Sequence, residues 1–510
     1  MSYKNNIEQL SEYDQRMINK FQDTIINGKL VIKNEQELTD LSFIQKLNVT
    51  KVTIDSCLQV LVDIFNDKIK EFYVNRCNFI NVDDLKLNNL EVLSLRENGM
   101  KGSQNILVQM QNNPIYSQLK ELDLSESLHV QQEIQNVQSE HLTYYEEELQ
   151  LNDQKSMVNL VKLTLNGNKI TNISVLSTFV NLEELNLSNN RNININPIQF
   201  LTKLTKLSLE NCGLTNIQDL SSLTNLVELN LAENEGVDIS PINKLTQLVN
   251  LNLYWCKLQN ITPLKNLSKL ACLEVSCNEI EDMSYLSQLN NLRDLSVAFI
   301  KFVDINPFRH LENLIVLNIS HTQILSMSVL RKLTNLEELY ISAVNNFDIS
   351  QLQYLVKLTF LDISGNYVYD ITALKPLVNL QYLNLLDTNL SEVSPLFELK
   401  KLSELFLGLI YSSSIIQIKQ DSHLYNILHK LYYIQPTQEQ QLVYDQIKRI
   451  NSTVTLLQNV NHSRKCTNAR FGQLKQLTSQ YLQTLSLNHI QFSKSIASLF
   501  NKLDVVESCQ

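Results

Sequence analysis

The chain repeats itself every 22 residues. A frame opening L-x-x-L-x-L-x-x-N starts at Leu160, Leu182, Leu204, Leu226, Leu248, Leu270, Leu292, Leu314, Leu336, Leu358, Leu380 and Leu402, eleven consecutive steps without a slip. A period of this length means that each repeat is one small unit that cannot bury its own apolar side and must stack on its neighbours. In Leu226-Val-Glu-Leu229-Asn-Leu231 the last two leucines stand two apart, so a strand turns both toward a core shared by successive turns. The ninth position holds Asn168, Asn190, Cys212, Asn234, Cys256, Asn278, Thr322, Asn366 and Thr388, small side chains able to bond backbone groups where the chain bends. Apolar residues return at positions 14 (Ile173, Ile217, Ile261), 17 (Leu176, Leu220, Leu264) and 20 (Leu201, Leu223, Leu267) to close the core from the other side. Pro197, Pro241, Pro263, Pro307 and Pro395 share position 16, where a fixed φ and a missing donor suit a short turn and not a full helix.

These constraints predict an α/β solenoid: a curved array with a parallel concave sheet and short 3₁₀ or irregular turns on the convex side. Stretches such as DISPINKLTQLVNLNL, from Asp238 to Leu253, resemble the 22-residue leucine-rich repeats of bacterial internalins and of the eukaryotic regulator of a protein phosphatase catalytic subunit. The resemblance runs over about three quarters of the chain and implies a leucine-rich repeat fold, a scaffold that unrelated binders share.

The ends are read differently. Residues 1–26 are expected to be an N-terminal capping helix, with Ile7, Leu10, Met17, Phe21 and Ile25 at helical spacing before Asn27-Gly28. The solenoid then occupies 27–410 in about 17 turns. Its first five turns open near Asn27, Val49, Ile69, Leu90 and Leu119, with steps of 22, 20, 21 and 29, and then 41 to Leu160, so the last two steps hide insertions, the larger one near 128–157. A C-terminal cap is expected over 411–435, built on a helix over 422–433 that carries Leu424, Ile427, Leu428 and Leu431 behind Asp421-Ser422. Beyond it, 436–510 reads as a basic helical tail, where Val443, Ile447, Ile450, Val454 and Leu457 step in heptad fashion as a coiled coil does.

Charge sharpens that division. Between Gln446 and Leu503 the tail has eight basic residues, among them Lys448, Arg449, Arg464, Lys465, Arg470 and Lys475, and no acid; the rest of the chain then holds 35 basic and 53 acidic residues, a net of −18. A regulatory or adaptor role, with this tail anchoring the chain to nucleic acid or anionic membrane, is one reading of that asymmetry. Intramolecular docking of the tail on an acidic face is another.

Enzyme chemistry is not expected. No phosphate loop, dinucleotide fingerprint, nucleophile elbow, H-E-x-x-H or paired C-x-x-C occurs, and nine glycines leave little room for phosphate-cradling loops, so neither cofactor nor metal is called for. The N-terminus lacks an apolar leader and no run of 18 apolar residues appears, which points to an intracellular, cytoplasmic protein with reduced cysteines, unlike the secreted internalins.

What remains is the concave face, to which positions 2, 3, 5, 7 and 8 are assigned. Over the twelve regular turns these positions hold twelve acids and three bases. They also hold aromatics where solvent would favour polar residues. The expected partner-binding residues are Tyr254, Trp255, Phe299, His321, Tyr340, Phe360, Tyr382, Glu228, Glu274, Asp294, Glu338 and Asp362, with Trp255, Cys277, Phe299 and His321 forming one row at position 8. The expected function is a scaffold for a protein partner presenting a basic, partly apolar segment.

Overall fold

The regular turns from Leu160 to Leu399 use their 22 residues alike: a strand of three or four residues, a tight corner, and a 3₁₀ turn that brings the chain back. In the computed structural model the described residues are 11–57, 64–77, 85–98, 110, 116–126, 157–407, 424 and 428–431, apart from 36–37, 39–40, 66, 345–346, 389 and 391–392. They form one parallel sheet of 18 strands and a small two-stranded one. Each frame position pairs with itself in the next turn, as in Lys206↔Glu228↔Asn250, because strand spacing and sequence period coincide. The irregular early turns keep this register. Glu121–Asp123 pairs directly with Lys162–Thr164, so the long step between them leaves the ladder unbroken.

Leu226, Leu229 and Leu231 are 0–2% exposed, and the residues at positions 14, 17 and 20 seal the same core from the convex side. There the proline-bearing segments, such as Asn196–Phe200, Ser240–Lys244 and Thr262–Asn266, are five-residue 3₁₀ turns with the proline in the first two positions. The ninth position stitches turns together. The Asn234 side-chain amide donates to the Leu209 and Leu231 carbonyls at 2.8 and 2.9 Å, while its oxygen accepts the Cys212 and Leu214 N–H groups at 3.1 and 2.9 Å. Asn278 repeats the set on Leu253, Val275, Cys256 and Leu258. Cys212 and Cys256 make the same backward link with a thiol, donating to Leu187 and Leu231 at 3.2 Å, and burial pushes both thiols up to about 11.

At the start, a helix spans Glu12–Phe21, with Ser11 as N-cap accepting the Asp14 N–H at 3.0 Å. Met17 and Phe21 are buried, and Phe21 stacks on Phe43 of the first turn with centroids 6.0 Å apart. The helix is shorter than the 1–26 expected: it ends in a 3₁₀ turn at Gln22–Thr24, and residues 1–10 lie outside the described set.

The helix expected over 422–433 is corrected at its end. Leu428–Leu431 is a strand, parallel to Glu404–Leu407 with a register shift between Leu405 and Phe406. The last repeat strand would otherwise leave a row of unpaired backbone groups, and edge pairing outweighs the 3-4 leucine spacing. Leu424 is buried in the core; the rest of 411–435, residues 128–156 of the insertion and the 436–510 tail lie outside the described residues. Among the described residues no helix is long and apolar enough to cross a membrane.

Candidate protein-binding face

The sheet turns position 3 of each strand outward, whereas position 5 is half-exposed in most turns and buried at Ser296, Asn318 and Asp362. Position 7 is mixed: Ser188, Ala232, Ser276, Ala298, Ser320 and Ser342 are buried, where small side chains follow the chain as it turns inward past the strand, while Asn166, Glu210, Tyr254, Ser364 and Leu386 stay half-exposed.

The outward rows divide by charge. In the earlier turns position 3 is an alternating ion-pair ladder: Lys162 and Lys206 approach Glu184 at 3.3 and 3.7 Å, and Lys206 also reaches Glu228 at 3.3 Å. These exposed pairs add little stability, but they neutralise that part of the face, and Glu228 is committed to one of them. From the Leu314 turn to Leu407 the outward positions hold Glu337, Glu338, Asp387 and Glu404 and no lysine or arginine.

This later part carries a continuous aromatic stack. Tyr340 and Phe360 have centroids 4.6 Å apart, Phe360 and Tyr382 lie 4.0 Å apart with planes within 7°, and Tyr382 meets Phe406 at 5.3 Å. The register causes it. Position 3 reads Glu338↔Phe360↔Tyr382↔Glu404, so two rings stand side by side with a carboxylate at each end of their row. The Tyr340 hydroxyl donates to Glu338 at 3.1 Å. All four rings are half-buried against one another, which leaves part of each in solvent.

Two expected contact residues prove to be structural. Asp362 is only 7% exposed; its carboxylate accepts the Ser364 N–H at 2.9 Å and the Ser364 hydroxyl at 2.6 Å, and burial raises its pKa above the ordinary carboxylate range. Glu274 likewise accepts the Ser276 N–H at 2.7 Å, and burial holds its carboxyl up to about 6. Asn186, Asn230, Asn252 and Asn318 make the same bond at position 5 of their turns, so the position asks for an acceptor and not for a charge. Asp294 stays half-exposed at position 3.

A pH effect follows from Glu274. Its folded pKa lies above its unfolded value, so between about pH 4.5 and 6 the folded state keeps a proton that the unfolded chain releases, and stability falls as pH rises through that window. The penalty above pH 6 is about 2 kcal/mol. Glu274→Gln, which keeps the acceptor, is expected to raise Tm at pH 7.5 and to match the unaltered protein near pH 4; equal melting at both pH values would refute this account.

The position-8 row lies at the corner after the strand and not within the sheet. Trp255, Cys277, Phe299 and His321 all have left-handed backbones, with φ of 52, 59, 57 and 56°. Asn189, Asn211 and Gly365 take the same conformation in other turns, as residues suited to it. For bulky side chains it costs about 1 kcal/mol each. Phe299 and His321 stack at 4.2 Å, Trp255 is 44% exposed and meets the Tyr254 ring edge-on at 6.1 Å. The Nε2 of His321 is buried without a hydrogen-bond partner, and burial lowers the pKa of the ring. Sequence spacing found the row and missed its backbone, although Asn, Gly and Asp at the same frame position in other turns carried that signal.

One strand per 22-residue turn, an asparagine ladder and a 3₁₀ return define a leucine-rich repeat solenoid. No family model and no curated protein matches the chain. Among solved structures, an internalin (inlF) from Listeria monocytogenes str. 4b F2365 is 31% identical, over 55% of this chain and 82% of that one, with a TM-score of 0.50. A leucine-rich repeat protein of Leptospira interrogans is 20% identical over 79% of this chain and 96% of its own, with a TM-score of 0.54, a likeness of fold alone. The chain belongs to the internalin-like leucine-rich repeat family.

Proposed function

We propose that this chain is a non-enzymatic scaffold that binds a protein partner on its concave face, with the contact centred on the turns from Leu336 to Leu407. The observation that carries this reading is the stack Tyr340, Phe360, Tyr382 and Phe406, four partly exposed rings in successive repeat strands whose outward positions hold acids and no lysine or arginine. Exposed, pre-ordered aromatics contribute contact area at small entropic cost, and such residues dominate binding energy at protein interfaces. The negative surround favours a segment that is basic and partly apolar. The corner row from Trp255 to His321 flanks this centre and adds a second patch.

The test is capture of partners by immobilised full-length protein, compared with Phe360→Ala plus Tyr382→Ala, with Trp255→Ala plus Phe299→Ala, and with the chain truncated after residue 435. A partner lost with the first pair supports the concave centre. A partner lost only on truncation, with both aromatic pairs neutral, shifts the reading to the basic tail as an anchor.

A further inference from the structure

The position-3 row is a ruler as well as a patch. Its order, Glu338, Phe360, Tyr382, Glu404, is fixed by consecutive parallel pairings, so the two carboxylates sit three strand steps apart. At about 4.8 Å per step that is roughly 14 Å, and the 4.0 Å spacing of the two rings shows the side chains drawing slightly together above the backbone. We propose that this row recognises an extended partner segment of the pattern basic-x-apolar-x-basic, laid across the strands, with the basic residues on Glu338 and Glu404 and the apolar one on the edges of Phe360 and Tyr382. The inference rests on the concave-face reading above and adds the spacing of the partner's residues to it.

The geometry selects this pattern over its rivals. An extended chain rises about 3.4 Å per residue and alternates its side chains, so residues four apart stand roughly 13–14 Å apart on one side, with the middle residue between them on that side. A helix rises 1.5 Å per residue, and its same-face pairs at seven and eleven residues fall near 10 and 16 Å. An arginine suits the ends because its planar guanidinium can take a carboxylate through two hydrogen bonds. Charge complementarity with repeat strands whose outward positions, from the Leu314 turn to Leu407, hold acids and no lysine or arginine sets the sign of the segment. The rings present mainly their edges, since each face is covered by the next ring in the stack, so an aliphatic side chain fits there better than a cation.

Two synthetic peptides of one composition test the spacing on the full-length protein: acetyl-Gly-Arg-Ser-Leu-Ser-Arg-Gly-amide, and acetyl-Gly-Arg-Arg-Leu-Ser-Ser-Gly-amide, in which the arginines are adjacent. Both carry the same charge, so general attraction to the face cancels. Fluorescence anisotropy is expected to show the first bound at least about fivefold more tightly, and Glu338→Gln with Glu404→Gln to abolish the preference while circular dichroism stays unchanged. Equal affinities, or binding of neither peptide at millimolar concentration, overturn the inference. If the peptides fail to discriminate while the Phe360 and Tyr382 pair still abolishes partner capture, the spacing rule falls and the binding face stands; if capture is also untouched, both fall.

Discussion

Asn234→Ala is expected to destabilise the array by about 3 kcal/mol or more, among the largest effects of any change away from the leucine core. Asn234 is fully buried, and its side chain satisfies two carbonyls and two N–H groups belonging to two different turns. Truncation leaves the Leu209 carbonyl and the Cys212 and Leu214 N–H groups without that partner, while the Leu231 carbonyl keeps the Cys256 thiol, and each buried backbone group so stranded costs about 1–3 kcal/mol. The lower end of that sum is taken because neighbouring turns can shift to recover part of it. Cys212→Ala makes the control. It removes one thiol donor to Leu187 and should cost nearer 1 kcal/mol, because the Cys212 N–H keeps its bond to Asn234. Urea unfolding followed by circular dichroism compares the two; an Asn234 variant that unfolds within 1 kcal/mol of the Cys212 variant would show that the ladder is dispensable.

Removing two rings from the concave stack should leave the fold alone and damage recognition. Phe360→Ala with Tyr382→Ala is expected to weaken binding of a captured partner by about 2 kcal/mol or more, roughly 30-fold in Kd. Both side chains are half-exposed, and the backbone pairs of their strands do not depend on them. Each single substitution already breaks the Phe360–Tyr382 contact and unstacks one end ring, so the effect of the pair should fall somewhat short of the sum of the singles. Titration calorimetry with the purified partner decides it, and a Kd within threefold of the unaltered protein would remove the stack from the contact.

The regular turns were legible because the 22-residue period, the strand and the parallel register are one fact: a residue that recurs in sequence recurs in space. That is why the spacing of Phe360 and Tyr382 already implied neighbouring rings, and why the five early turns could be opened correctly at unequal steps. Burial was harder to read. Whether Asp362 reaches solvent depends on the corner that follows it, where Ser364 turns its N–H back onto the carboxylate, and a one-dimensional pattern shows an outward position without that bond. Lateral pairing was missed for a similar reason. Counting acids and bases over the face gave a net sign, while Lys162, Lys206, Glu184 and Glu228 cancel locally because register sets them in one row. The strand at Leu428–Leu431 depended on an open sheet edge, which leucine spacing within the segment does not record.

Because Leu207 pairs only with Leu185 and Leu229, and every other strand of the regular array is held in the same nearest-neighbour fashion, tension applied between the ends has no distant contact to break first. The array should come apart from a terminus like a spool. Each turn released would pay out its 22 residues as roughly 70 Å of thread. A single molecule stretched in an optical trap should therefore lengthen in equal steps over the regular turns, with one longer step where Glu121–Asp123 parts from Lys162–Thr164 and frees the 41-residue excursion between them. A single all-or-none rip over the regular turns would mean that the turns are coupled more tightly than their pairwise contacts provide.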